Sequence, residues 1–301
     1  MTALAEHHLR HVGFHLSVCP ALGGAITRFA LDDFDLLRPW DGSEQVRRAA
    51  CFVLAPYSNR VAEGRFDFDG RTHQLRRNSP DHVLPIHGVA WKRAWQLEEQ
   101  GADHLAMSLT HDPTQGENAL DWPFAFHLSQ RLQLLDDGLA LELRLRNCDT
   151  RPMPAGLGWH PYFPRHQGVE LQFAAAAVWL ADVQQLPVQQ TGIAPAWDFR
   201  QSRAVHEPGL DNNFTGWNGR AQLSWPEQRL SLAIEAGSGL ENLIIYTPPT
   251  AQGFIAVEPV SHANAALNRG GEGLVILAPG DMLIRDCRLR IGPANHRHSV
   301  S

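Results

Sequence analysis

Two residues able to move protons stand in the same local setting, far apart in the chain. Glu258 closes the apolar run 254–257 and is followed by Pro259. His160 lies in Gly158-Trp159-His160-Pro161-Tyr162-Phe163 and is followed by Pro161. A proline disfavours helical backbone in the residue before it, so both side chains are expected on stiff, extended mounts. Position comes before pKa in general acid/base chemistry, and a carboxylate and an imidazole mounted this way suggest proton transfer at two points of one substrate. Glu258 taken alone reads as an edge-of-sheet carboxylate reaching solvent. His160 in the same construction is what makes a pair of it.

Three further segments add polar groups. Asn59 and Arg60 occupy a short polar gap between the apolar run 51–55 and a strand beginning at Arg65. Arg60 offers a rigid fork of N–H donors for hydroxyl or carboxylate oxygens, or else caps a surface loop. His87 sits in the apolar stretch Leu84-Pro85-Ile86-His87-Gly88, where the glycine permits close backbone approach. By itself it also fits a satisfied core histidine. Asp211, in Gly209-Leu210-Asp211-Asn212-Asn213-Phe214, either opens an Asx turn or accepts hydrogen bonds from hydroxyls.

Other chemistries find little support. Cys19, Cys51, Cys148 and Cys287 are widely spaced, with no CxxC pair and no evident histidine partner, so zinc sites, disulfide frameworks and a thiol nucleophile are disfavoured. His7, His8, His11 and His15 form a loose N-terminal set, and His296 and His298 a polar tail, without metal-ligand spacing. Dinucleotide, P-loop and serine-elbow motifs are missing. A net charge of -6 gives no reason to expect nucleic acid or an anionic membrane as partner. With 44% hydrophobic and 19% charged residues the chain reads as globular. No apolar run approaches the ~20 residues of a membrane span. The first residues lack the basic start and apolar core of a secretion signal, so a cytoplasmic location is expected.

The elements that must position these groups are strands. Leu139, Leu141, Leu143 and Leu145 alternate with polar residues and follow a second alternating run, 128–134, across Asp136-Asp137-Gly138. Two alternating runs joined by Asp-Gly predict a hairpin. The same reading predicts hairpins of 65–68 with 71–75, of 221–225 with 229–234, and of 273–281 with 282–291. Helices are expected to be few and short, and 113–118 and 187–208 read as loops. Many short antiparallel strands predict an all-β sandwich of large sheets, organised as a single domain over 1–301.

The five segments, in this order, resemble the aldose 1-epimerase (galactose mutarotase) family. They are Asn59-Arg60 with Gly64-Arg65-Phe66, Ile86-His87-Gly88, His160-Pro161-Tyr162-Phe163, Asp211-Asn212-Asn213-Phe214 and Val257-Glu258-Pro259. The resemblance implies a β-supersandwich with a sugar cleft, a monosaccharide substrate, no metal or organic cofactor, and a monomer or homodimer. It also implies that Glu258 takes the anomeric hydroxyl's proton and His160 protonates the ring oxygen. His87 would help hold that region, and Arg60 and Asp211, with Asn59, would bind hydroxyls. Exchanging the roles of His160 and His87 fits nearly as well. The chain departs from the family pattern at Trp159, where a small polar residue is common, and at Val89, where a second glycine is. Trp159, Trp91 or Tyr162 is expected to floor the cleft by stacking on sugar C–H faces. Arg76-Arg77 and Lys92-Arg93 are candidate phosphate contacts, or solvated faces. Two rival readings are a glycoside hydrolase using Asp211 and Glu258, and a non-catalytic carbohydrate-binding module.

Overall fold

The structure is a computed structural model describing residues 4–166, 168–205 and 209–294. His296 and His298 lie outside the described residues. Two antiparallel sheets account for most of the strands. The larger sheet runs His7–His11, Phe14–Cys19, Ala25–Leu31, Cys51–Leu54, Gly158–Pro164, Phe254–Val260, Asn242–Tyr246, Asp211–Thr215, Ala177–Ala181, Pro187–Thr191, with Phe34–Asp35 beside Ala25–Leu31. The second runs Arg203–Ala204, Glu170–Phe173, Arg220–Trp225, Leu230–Ala236, Met282–Pro293, Gly138–Asn147, Phe126–Leu135, His104–His111, Gln96–Gln100. The helical segments among the described residues are single 3₁₀ turns of three residues.

Alternation explains the packing. In Phe126–Leu135 every second residue from Phe126 is buried, and this row faces the main core with Leu139, Leu143 and Leu145 of the next strand. One polar residue interrupts the row. Gln130 is buried and is satisfied by donating to the Gly24 carbonyl at 3.2 Å and accepting from the Trp159 indole at 3.2 Å. Its amide thus ties the two sheets together without an orphaned polar group.

Three predicted hairpins form as read: Phe126–Leu135 with Gly138–Asn147, Arg65–Phe68 with Arg71–Gln74, and Arg220–Trp225 with Leu230–Ala236. The fourth does not. A turn does form at Asp281, whose N–H donates to the Ala278 carbonyl, but it sends the flanking strands to different partners. Val275–Leu277 pairs with Met153–Ala155, while Met282–Pro293 inserts between Gly138–Asn147 and Leu230–Ala236. Flanked on both sides, the long strand gains more ladder bonds than a local hairpin would supply. The segment 187–208 also departs from its reading as a loop. Pro187–Thr191 forms the edge strand beside Ala177–Ala181, and Arg203–Ala204 caps the edge of the other sheet. A proline that opens an edge strand costs the ladder nothing.

The centre of the larger sheet is buried on both faces. Trp159, Phe163, Ile255 and Val257 point into the main core. Tyr162, Phe254, Ala256 and Val260, one residue out of phase, join a second apolar cluster on the opposite face with Phe52, Ile86 and Trp91. That parity also decides where His160 and Glu258 go.

Candidate active site

Gly158–Pro164 and Phe254–Val260 are antiparallel neighbours, paired at Gly158↔Val260 and Tyr162↔Ala256. Those pairs bracket His160 and Glu258, which stand directly across from each other on the second, smaller face. Their side chains meet: His160 Nε2 lies 3.1 Å from Glu258 Oε1. The residues are only 7% and 2% exposed. Two lone pairs at that distance would repel, so a proton lies between them. Burial pushes the Glu258 carboxyl well above the usual carboxylate range, and the nearby Asp211 charge pushes it further, against Arg60. Burial likewise depresses the His160 imidazole, aided by the Arg38 guanidinium. Both effects favour the uncharged forms, while the contact itself favours the ion pair. His160 Nδ1 and Glu258 Oε2 are buried and find no hydrogen-bond partner among the described residues.

Aromatic rings hold the imidazole. His160 stacks on Phe52 at 4.7 Å and packs against Tyr162 at 4.5 Å between ring centroids. The His87 ring meets it edge-on at 5.5 Å. Arg38 lies over Tyr162, with its guanidinium carbon 3.9 Å from the ring centroid, and donates to the Arg47 and Ala49 carbonyls.

His87 and Asn59 both have positive φ, 62° and 63°, which is uncommon without glycine. Reciprocal bonds hold them there. The Asn59 N–H donates to His87 Nδ1 at 3.1 Å, and the His87 N–H donates to the Asn59 carbonyl at 3.0 Å. Because Nδ1 accepts, neutral His87 carries its proton on Nε2. Burial, and then the charge of His160, depress its basicity well below the ordinary value. The next residue must be glycine, since a Cβ on Gly88 would lie 2.1 Å from the Ala55 carbonyl oxygen.

Asn59 also sets Arg60. Its Oδ1 accepts from the Arg60 backbone N–H at 2.9 Å and from Nη1 at 3.0 Å. Arg60 Nη2 then lies 3.7 Å from Asp211 Oδ2, a loose ion pair with room for a hydroxyl to bond both. Asp211 does not open an Asx turn. It begins the strand Asp211–Thr215 opposite Tyr246, and burial raises its carboxyl against the pull of Arg60.

The aldose 1-epimerase family profile matches residues 7–288. This chain belongs to the aldose 1-epimerase family. Among its relatives, the uncharacterized protein YphB of Escherichia coli K12 is 31% identical over 278 residues, covering 89% of this chain and 93% of that protein. A crystal structure of an Escherichia coli K12 protein provisionally assigned as an aldose 1-epimerase has a TM-score of 0.89 at 30% identity, over 96% of this chain and 99% of that one. A galactose mutarotase-like protein of Clostridium acetobutylicum shares the fold with a TM-score of 0.84 at 17% identity, over 97% and 100% of the two chains.

Against the resemblance-based set of epimerase residues, one correction is needed. Trp159 does not floor the cleft: it is buried in the main core, and its indole N–H reaches Gln130 in the other sheet. Adjacent strand residues face opposite ways, so Trp159 and His160 cannot share a surface. Trp91 and Tyr162 are on the His160 side, with Trp91 stacked on Phe52 at 5.7 Å. His160 and Glu258, the two residues expected to move protons, are in direct contact. Phe52, Arg38 and His262 complete the surroundings and were not singled out by sequence. Phe52 lies in a run buried on both faces, which has no periodicity to read. Arg76, Arg77, Lys92 and Arg93 stand apart from the pair and line a separate cavity.

Proposed function

We propose that this protein interconverts the α and β anomers of an aldose of the galactose or glucose type by opening and reclosing the hemiacetal. The observation that carries the reading is the 3.1 Å contact between His160 and Glu258 on adjacent strands. The reaction needs one proton removed from O1 while another reaches the ring oxygen. Both oxygens are bonded to the same carbon, so an acid and a base in contact are well matched to them.

In the opening step Glu258 takes the O1 proton and the protonated His160 gives one to the ring oxygen, breaking its bond to C1. The ion pair becomes a neutral pair as the free aldehyde forms. Rotation about the C1–C2 bond presents the other carbonyl face, and closure returns both protons. The protein's net charge never changes, which suits a buried site. Burial favours the neutral pair, and hence the open-chain state, while the contact favours the ion pair of the closed sugar. His87, donating from Nε2, would hold the ring oxygen region, and Arg60 with Asp211 would fix hydroxyls. The acid and the base are each worth roughly 10²–10⁴-fold.

The test is proton NMR of freshly dissolved α-D-galactose and α-D-glucose with a trace of protein, following both anomeric signals. Faster equilibration that is lost in Glu258→Gln supports the proposal. Undiminished exchange in that variant removes Glu258 from its role. Product release from a chromogenic glycoside would favour hydrolysis by Asp211 and Glu258 instead.

A further inference from the structure

The two basic pairs singled out in the sequence, Arg76-Arg77 and Lys92-Arg93, converge. All four line one cavity of about 480 Å³, together with Asn78, Ser79, Pro80, Gly88, Val89 and Asp121. That volume is in the range of small-molecule sites. None of the acid–base pair, Arg60 or Asp211 borders it.

The charges there do not balance. Asp121 takes both Arg76, at 2.5 and 2.8 Å, and Arg93, while Glu117 adds a second contact to Arg76 at 2.9 Å. Arg77 and Lys92 have no carboxylate within ion-pair distance among the described residues. Arg77 donates to the Ser79 and Pro80 carbonyls, and Lys92 Nζ donates to the Asn78 carbonyl at 2.7 Å. Neutral donors could serve those carbonyls equally well. Two positive charges are therefore in excess within one cavity, on a chain whose net charge is -6. Such a concentration attracts anions, and a guanidinium and an ammonium lining one cavity suit the oxygens of a phosphate group.

The cavity also backs directly onto the catalytic turn. The Asn78 amide, part of its lining, donates to the Ile86 carbonyl at 2.7 Å and the Gly88 carbonyl at 3.0 Å, and its oxygen accepts from the Ile86 N–H at 3.0 Å. It thus clamps the residues on either side of His87.

We propose that this cavity is a second ligand site, separate from the acid–base cleft, that binds a small phosphate-bearing molecule through Arg77 and Lys92. The inference does not depend on the anomerase reading. It is tested on the ¹⁵N-labelled, deuterated full chain, titrated with inorganic phosphate and in parallel with D-glucose 6-phosphate. Ionic strength is held constant with sodium chloride, and D-glucose serves as the neutral control. Saturable shifts of the Ser79, Gly88 and Val89 amides are expected with both phosphate probes and not with glucose. Arg77→Ala/Lys92→Ala should weaken binding by at least about tenfold, the loss of two charge-assisted contacts, whereas Arg203→Ala should leave it unchanged. Tighter binding of the sugar phosphate assigns a phosphate monoester as ligand, and equal binding assigns free phosphate. Unsaturable shifts, shifts confined to the Glu258 cleft, or an unchanged affinity in the double variant would overturn the site.

Discussion

The backbone N–H of Ser58 donates to Nε2 of His262 at 2.9 Å. His262 Nδ1 donates in turn to the Ala263 carbonyl at 2.8 Å, which leaves Nε2 as the acceptor. The loop carrying Asn59 and Arg60 is in this way suspended from the end of the strand carrying Glu258. The fit is close: a Cβ on Gly156 would lie 2.1 Å from the His262 ring.

His262→Ala should therefore act on sugar binding more than on proton transfer. It orphans the Ser58 N–H, at a cost of about 1–3 kcal/mol, and frees the Arg60 loop. The expected outcome in anomer-exchange kinetics is a raised KM with kcat much less affected, and a lowered midpoint in urea. A kcat collapse at unchanged KM would contradict this role.

The same residue gives the protein an acid-sensitive joint. Burial pushes His262 down to about 4 from an ordinary 6.5. The native state refuses a proton that the unfolded chain accepts, so stability from this group is full above the ordinary value and falls as pH drops toward the native one. A shift of that size corresponds to roughly 3 kcal/mol. Urea unfolding at pH 7 and pH 4.5 should show a larger loss in the parent than in His262→Gln, whose amide oxygen can still accept from Ser58.

Glu258 runs the opposite way. Its carboxyl titrates above the ordinary 4.5 in the native state, so the stability it contributes is full below that value and declines as pH rises through the native one. Glu258→Gln should abolish exchange yet be at least as stable as the parent at pH 8, because a buried ionisable group is replaced by a neutral one that still bonds His160. Denaturant midpoints of the two proteins across pH 5 to 8 check this. A large destabilisation of the variant at pH 8 would count against it.

Asp211 tunes that carboxyl, and the proposed function also gives it hydroxyls to bind. Its charge raises Glu258, so Asp211→Asn should lower the Glu258 titration and keep the base ionised to more acidic pH. The acidic limb of kcat/KM should move to lower pH while affinity weakens, on the order of tenfold for one lost charged contact. A pH–rate profile separates the two effects.

Trp159→Phe is a control on the corrected assignment. It removes the bond to Gln130 inside the core, so a loss of about 1–2 kcal/mol in stability is expected, with sugar KM unchanged. A raised KM would put Trp159 back in the cleft.

Much of this was legible beforehand because alternation and turn chemistry are local. The leucines at 139–145 and the Asp-Gly turn carried their hairpin. The prolines after His160 and Glu258 marked two stiff mounts that turned out to be opposite each other. Fates decided by distant partners were not legible. The strand at Met282 leaves its neighbour for two others from distant parts of the chain. Strand parity alone separates Trp159 from His160, so that signal was present and outweighed by the family pattern. Nothing in the run 51–54 distinguishes Phe52, which stacks on the imidazole, from its neighbours.

The central strands, Cys51–Leu54, Gly158–Pro164 and Phe254–Val260, come from near the start, the middle and the end of the chain. Pairings between such remote segments close large loops and form slowly. A chain emerging during synthesis therefore has no proton-transfer pair until its last sixth is available. Under the proposed function, anomer exchange then becomes a report on chain completion, since a product truncated before residue 258 lacks the carboxylate that meets His160.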